Sequence, residues 1–545
     1  MLQPENQAKK YLHLFTGIET GKIRIPQFQR EFVWTKQQTA KLIDSIIKGF
    51  PIGTFIFWET NDTMRTVRSI GNAELPELRV GETSQFVLDG QQRITSLYAV
   101  QKGLIFKQDK KEISYKDICI NLDVDPEADP DDEIVLDEVE DGMTSLSVYD
   151  LLNGRVMELA QRYSDPVHQD RIDTYRNRLT GYDFSTILMP GYPIDVACEV
   201  FTRINTGGTQ LSLFEIMAAK TYDLERKFDL AQEYEWLLDS EGEAKDLEDA
   251  NFDTIPSSTV LQCIAAHLRQ AIKRQDILKL EKIQVIEGWQ TVKDGIFSAV
   301  DYLRSHMRIP VSHLLPYNTL LVPLCYFFIR NEGKMPNVHQ DKWLQQYFFW
   351  ASLTNRFTSG SEGKVALDLG KMDQILQERA PDYQGEEVRL TIEDIQWRWF
   401  STGEAFCKAI LCLFAYFQPK SFHNNSMVNI NNSWLKQANS RNYHHFFPKS
   451  YLNKLGYQDW QANTIVNITI VDDYLNKRKI RARSPKDYMD DFDLNNPDLS
   501  LTMKTHLIDD LSEFGIWDED YEQFIEKRSE RIFEELNHRL NPDLN

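Results

Sequence analysis

Cysteine is scarce in this chain: there are six in 545 residues, Cys119, Cys198, Cys263, Cys325, Cys407 and Cys412, and no two form a C-x-x-C pair. That excludes a disulfide-knit secreted scaffold and a thiolate zinc knuckle, and it leaves reduced core cysteines of a cytoplasmic protein. Long apolar runs are lacking as well. The longest, Leu320 to Ile329, contains Pro323 and is too short to cross a bilayer, and no basic and apolar leader precedes Tyr11, so no membrane partner is expected. Cations are in deficit: 61 Lys and Arg against 82 Asp and Glu give a net charge of −21. Diffuse adhesion to nucleic acid is thereby excluded, and any affinity for DNA has to be local. Tandem repeats and low-complexity linkers are also missing, which favours docked domains. At about 150 residues per domain the length suggests three or four units.

What the chain does contain is concentrated in a few places. Tyr443-His444-His445-Phe446-Phe447-Pro448-Lys449-Ser450 is followed by Asn467, inside the β-branched run Asn463 to Val471, and then by Asn476. Hydrolysis of a phosphodiester with one divalent metal needs a neutral imidazole to deprotonate water and ligands that hold the metal against the phosphate. His445 suits the base, and His444 with Asn476 suits the metal. The run Asn463 to Val471 reads as a strand, and Asp472 or Asp473 is placed to cap a helix holding Asn476. Asn467 is expected to brace the loop that carries the base through side-chain bonds to backbone, a supporting role. Beyond Asn476 lie Lys477, Arg478, Lys479, Arg481, Arg483 and Lys486, flanked by Tyr474 and Tyr488. In so acidic a chain this cluster reads as a grip on a phosphate backbone.

The N-terminal part holds a second constellation. After Ile25-Pro26-Gln27-Phe28-Gln29-Arg30-Glu31-Phe32-Val33-Trp34, Thr35 and Gln38 make a capping box for a helix to about Lys48, with Ile43, Ile46, Ile47 and Phe50 as its apolar stripe and Gly49 as its stop. Gln85 to Val100 reads as strand, tight turn and helix, the turn being Asp89-Gly90-Gln91-Gln92-Arg93. Gly90 permits the turn, the first amides of the next helix face outward, and Arg93 adds a forked cation, as a phosphate site requires. Thr95 or Ser96 adds hydroxyls, and Asp89 orients Arg93 or holds magnesium through water. A third stretch, Phe201 to Glu215, reads as strand, Gly-rich turn and helix, with Arg203 and Asn205 placed to close on the same ligand. Between these regions Leu122 to Glu140 is an acidic, solvated excursion that is also suited to mimic DNA and hold a nuclease off. Residues from about 226 to 400 carry apolar positions at helical spacing, and the tail after Asp509 reads as a charged amphipathic helix suited to packing or self-association.

IPQFQREFVW, PIGTFIFWE, FVLDGQQRITSL and FTRINTGGTQLSLFE resemble, in order, the motifs of the DGQQR family, whose fold is similar to that of ParB and sulfiredoxin. HHFFPKS, VNITIV and LNKRKIRARSPKDY resemble the HNH-like nuclease module that commonly follows it. Together they look like the GmrSD type of modification-dependent, type IV restriction enzyme and its relatives that act beside DNA phosphorothioation systems. The resemblance implies an anti-phage endonuclease of α+β multidomain build. Residues 1–225 would form a ParB/sulfiredoxin-like nucleotide domain, 226–400 a helical middle region, and 401–545 an HNH ββα-metal finger embedded in helices. It places Gln29, Arg30, Asp89, Gln91, Gln92, Arg93, Arg203 and Asn205 on the nucleotide-domain motifs and His445 on the general base. The implied cofactors are a divalent metal (magnesium, manganese or zinc) and a nucleoside triphosphate (GTP, ATP, CTP or UTP). The implied partner is modified phage DNA, whether glucosylated, methylated or sulfur-modified, with a homo-oligomer left open. His444 departs from the Asp, Glu or Asn of many HNH modules; imidazole suits zinc and manganese better than magnesium. Two other readings stay open: a ParB-like nucleotide-gated DNA clamp, and a signalling NTPase with no nucleolytic act.

Overall fold

The computed structural model describes residues 3–26, 32–61, 66, 69–76, 81–108, 111–125, 127, 132–139, 141–204, 211–242, 244–383, 385–386, 388–430, 432, 443–471, 480 and 482–542. The chain divides into two compact units, Met1–Leu230 and Ala231–Asn545. The architecture is mixed α/β and multidomain. No helix among the described residues is long and apolar enough to cross a membrane.

The first unit is built on a five-stranded sheet. Its strands are β1 (Glu5–Lys10), β2 (Ile23–Arg24), β3 (Phe55–Thr60), β4 (Ser84–Asp89) and β5 (Asp183–Pro190), in the order β1-β5-β3-β4-β2. β5 runs parallel to β3 and β2 parallel to β4, while β1 and β5, and β3 and β4, are antiparallel. Side chains alternate across the sheet. Phe55, Phe57, Val87 and Phe184 share one buried core with residues of helices α1 (Tyr11–Glu19), α2 (Lys36–Ile47), α3 (Gln91–Lys102) and α4 (Pro166–Gly181). Trp58 and Phe86 alternate with these core residues, their rings 5.5 Å apart, and α5 (Ile194–Ile204) packs on β4.

Local chemistry explains these boundaries. Thr35 and Gln38 form both bonds of a capping box at the start of α2, and Gly49, at φ +74°, follows its end. Phe50 lies past that stop and is 45% exposed, so it is no part of the stripe of Ile43, Ile46 and Ile47. Phe201-Thr202-Arg203-Ile204, read from sequence as a strand, is instead the last turn of α5. The buried positions Ala197, Cys198 and Phe201 continue one helical stripe, and that upstream period overrides the β preference of the tetrapeptide. The acidic excursion is partly built into the core: Val135–Leu136 pairs with Cys119–Asn121, Ile134 and Val135 are buried, and Asp44 Oδ1 accepts from both of their amides.

In the second unit α6 (Ser257–Arg269), α7 (Lys282–Ser305), α8 (Leu321–Arg330), α9 (Val338–Leu353) and α10 (Ser361–Leu376) pack into a helical layer. A buried ion pair closes it, Arg356 Nε and Nη2 donating to Asp368 with both side chains nearly inaccessible. The same unit contains α11 (Ala405–Tyr416), a two-stranded sheet of β6 (Tyr443–His445) and β7 (Ile468–Ile470), and short helices α12 (Lys449–Lys454) and α13 (Asp459–Ala462). It ends with α14 (Pro485–Asn495) and the long α15 (Tyr521–Leu540). The strand expected over Asn463 to Val471 is shorter. Ile465–Asn467 forms a 3-10 turn and only Ile468–Ile470 pairs with β6. Asn467 therefore closes the turn. The Thr464 hydroxyl accepts from the Val466 amide and starts that turn, a local bond that competes with the ladder.

Candidate functional site

β6 pairs antiparallel with β7, with His444 opposite Thr469 and His445 opposite Ile468. Because side chains alternate, the two imidazoles leave the strand on opposite faces. His444 is buried, its ring edge-on to Tyr488 at 6.2 Å, and the Thr469 hydroxyl donates to its carbonyl. His445 lies on the other face, half-buried, with Nε2 2.9 Å from Asn463 Oδ1.

That contact determines where the imidazole proton sits. Asn463 Nδ2 donates to the Phe400 carbonyl at 3.1 Å, and the Phe400 amide donates back to the Asn463 carbonyl at 2.8 Å, so the amide is turned with its oxygen toward His445. An oxygen acceptor requires N–H on Nε2, which leaves the lone pair on Nδ1. Burial pushes the His445 pKa down to about 4; the Asn463 bond opposes this and the Lys449 charge adds to it. At neutral pH the ring is thus uncharged and oriented, as a general base must be. Asn463 carries no distinguishing motif. Its signal is a second asparagine, four residues before Asn467, bracketing a run that is otherwise apolar.

Asn467 is fully buried and clamps the turn that follows His445. Its Oδ1 accepts from the Phe447 amide at 2.8 Å, and its Nδ2 donates to the carbonyls of Phe447 and Ala462, both at 2.9 Å. Arg528 of α15, also fully buried, donates to the carbonyls of Val466, Ile468 and His506 and lies against the rings of Phe414 and Phe524. The 3-10 turn and β7 are therefore held from the long C-terminal helix.

Asn476, Lys477, Arg478, Lys479 and Arg481 lie outside the described residues. Arg483 is described: Nη1 pairs with Asp491 at 2.6 Å and the guanidinium also donates to the Asp487 carbonyl, so this cation has acidic compensation that the run of basic residues conceals. Tyr488 is fully buried and donates to the Phe446 carbonyl at 2.5 Å; it belongs to the core, not to a DNA-facing flank. Among the described residues no group of three or more His, Cys, Asp or Glu is placed to hold a metal, so the described part of the site does not by itself close a ligand set.

In the first unit β4 runs to Asp89, Gly90 turns the chain at φ +89°, and α3 begins at Gln91. A Cβ at Gly90 would lie 2.4 Å from the Phe55 ring, so the turn needs glycine both for its backbone and for this approach. Arg93 folds back into the turn. It donates to the carbonyls of Ile52 and Thr54 at 2.6 and 3.1 Å and to Asp89 Oδ2 at 3.0 Å, over the Phe55 ring. Gln92 Oε1 accepts from the Val33 amide at 2.9 Å, tying α3 to the stretch that follows Gln29 and Arg30, and Gln92 Nε2 donates to Gln91 Oε1. Gln29, Arg30 and Asn205 themselves lie outside the described residues. Arg203, on the last turn of α5, is 77% exposed and pairs with Glu199 one turn back; it does not stand at a strand end. The structure thus brings Asp89, Gly90, Gln91, Gln92 and Arg93 together at one turn.

Comparison with known proteins gives both ends of the chain a family. Residues 11–222 match the GmrSD restriction endonuclease N-terminal domain, and residues 394–535 match the GmrSD restriction endonucleases C-terminal domain. The second range spans Phe400, His445, Asn463, Asn467 and Arg528; the first spans the Asp89 to Arg93 turn. An uncharacterized protein of Methanocaldococcus jannaschii, MJ0686, is 23% identical over 539 residues, which cover 90% of this chain and 87% of that protein. The chain thus matches both domains of the GmrSD restriction endonucleases, in that order.

Proposed function

We propose that this protein is a nucleotide-regulated, metal-dependent endonuclease that cuts chemically modified DNA in defence against phage. The single observation that carries the nucleolytic part is the His445 arrangement: a neutral, half-buried imidazole with Nε2 bound to Asn463, on a turn clamped by Asn467. In this reading the C-terminal module is of the HNH type. Nδ1 of His445 takes the proton of the water that attacks phosphorus, Asn463 keeps the ring in the tautomer that can do so, and Asn467 and Arg528 hold the turn. A divalent ion, magnesium, manganese or zinc, would supply charge neutralisation at the phosphate; Asn476 would hold it, together with His444 once that buried ring turns from Tyr488 to the face of His445.

The first unit is read as a ParB/sulfiredoxin-like, NTP-binding and hydrolysing domain centred on the DGQQR turn. Gly90 and the first amides of α3 supply the phosphate cradle. Arg93 and Asp89, engaged with each other and with the Ile52 and Thr54 carbonyls, stiffen that cradle more than they reach for the ligand. Gln29, Arg30, Arg203 and Asn205 complete the nucleotide set, and Lys477, Arg478, Lys479, Arg481 and Arg483 the DNA grip.

The test is cleavage of matched DNAs, unmodified, glucosylated, methylated or phosphorothioated, by wild type and His445→Ala. Each is run with manganese or magnesium and with or without each NTP. Cutting of one marked substrate by wild type, lost in His445→Ala with NTP turnover kept, is the expected result. Full cleavage by His445→Ala would remove it as the base; NTP turnover with no strand breaks anywhere would favour the clamp or signalling reading.

A further inference from the structure

Lys449 begins α12, four residues after His445, and its ammonium group lies 5.8 Å over the ring of Trp399. The side chain is half-buried, and burial holds its pKa below the ordinary lysine value although the Asp459 charge opposes that. Among the described residues the ammonium makes no hydrogen bond and no ion pair within 4.0 Å. Its charge is felt at His445, where it disfavours protonation. A partly desolvated cation that finds no ion pair among the described residues is costly to maintain, and beside a candidate base such a cation suits an anionic ligand.

The indole beneath it is exposed as well. Trp399 is 49% and Trp460 53% accessible, and Trp460 stands edge-on to Trp397 at 5.8 Å. Trp399 bridges to Thr464, and its neighbour Phe400 is bonded in both directions to Asn463, the residue that orients His445. Indole and imidazole are therefore joined through the Trp399–Thr464 bridge and the Phe400–Asn463–His445 bonds, and the cation lies over the indole. A strand of nucleic acid presents the complementary pair, a phosphate beside a flat sugar-base face.

We propose that Lys449 receives the phosphate adjoining His445 and that Trp399 packs against the neighbouring deoxyribose or base, seating the DNA strand to be cut. The inference rests on the nuclease reading of His445. The contact places a positive charge where negative charge grows as water attacks phosphorus.

The experiment uses the full chain and its Lys449→Met, Lys449→Arg and Trp399→Leu variants with short labelled DNA duplexes, unmodified, glucosylated, methylated and phosphorothioated, each with and without each NTP. Binding is read by fluorescence anisotropy over a salt series without divalent ion, and single-turnover cleavage with manganese. Loss of one phosphate contact lowers the slope of log K against log salt by about 0.9. Lys449→Met is expected to show that loss and to cut about 100-fold more slowly. Lys449→Arg keeps the slope and restores most of the rate. Trp399→Leu weakens binding with the slope unchanged. Wild-type slope and rate in Lys449→Met would overturn the contact and leave the nuclease reading standing. A lowered slope with no cleavage by wild type would leave the contact and remove the nuclease. No measurable binding by wild type would overturn both.

Discussion

Replacing Asn467 with Ala removes one amide from a fully buried position and strands three backbone groups: the Phe447 N–H, the Phe447 carbonyl and the Ala462 carbonyl. A buried polar group left unmet costs about 1–3 kcal/mol. Three such groups, with some relief from an entering water, give a loss of roughly 3–6 kcal/mol. The chain has two compact units, so a single global unfolding energy is ill-defined and the assay has to be local. Hydrogen exchange at the Phe447 amide, which is bonded to Asn467 Oδ1 itself, reads the turn directly. At about 1.4 kcal/mol per tenfold, the expected fall in protection is roughly 10²- to 10⁴-fold, spreading to peptides from β6 and the Ile465–Asn467 turn. Asn467→Asp keeps the acceptor but turns both donated bonds into oxygen–oxygen contacts, and is expected to lose nearly as much. Protection within a factor of ten of wild type in Asn467→Ala would refute the clamp.

Two further outcomes follow from the same geometry. His445 is held neutral until the pH falls through about 4, whereas an ordinary imidazole of pKa about 6.5 is only about 3% neutral at pH 5. The folded pKa is depressed, so the base form is retained on acidification: base-limited cleavage is expected to fall less than about twofold between pH 7 and 5 instead of about 25-fold, and a first-order decline setting in near pH 6.5 would contradict it. Gly90→Ala forces a side chain into φ +89° and to within 2.4 Å of the Phe55 ring; a loss above about 2 kcal/mol is expected in the thermal unfolding of the first unit, and a loss under about 1 kcal/mol would mean the turn is less constrained than it looks.

Punctuated elements were legible from sequence. The capping box at Thr35 and Gln38, the Gly49 stop and the strand-turn-helix around Gly90 are local signals, decided within a few residues, and the structure has them where the residues put them. Phe201 to Ile204 and Asn463 to Asn467 were misread for one reason. Each is a short β-branched stretch whose conformation is set from outside it, by the stripe of α5 in one case and by the bonds from Arg528 and Phe447 in the other. The burial of Tyr488 and the acidic partner of Arg483 were not legible because a one-dimensional run of cations and aromatics does not show which face is buried or that Asp491, two helical turns on, pairs with Arg483.

By itself, then, the sequence determined residue chemistry and local punctuation: a paired histidine, two asparagines bracketing an apolar run, a glycine turn before a helix, and an acidic chain with one basic patch. Only the tertiary structure decided which side chains meet. Asn463 lies 18 residues from His445, and Phe400 lies 63 from Asn463; Arg528 reaches carbonyls 60 and 62 residues back. Contacts at such separations have no periodicity to announce them, because they arise where independently folded elements pack, and there the orientation of an imidazole and the exposure of an indole are settled.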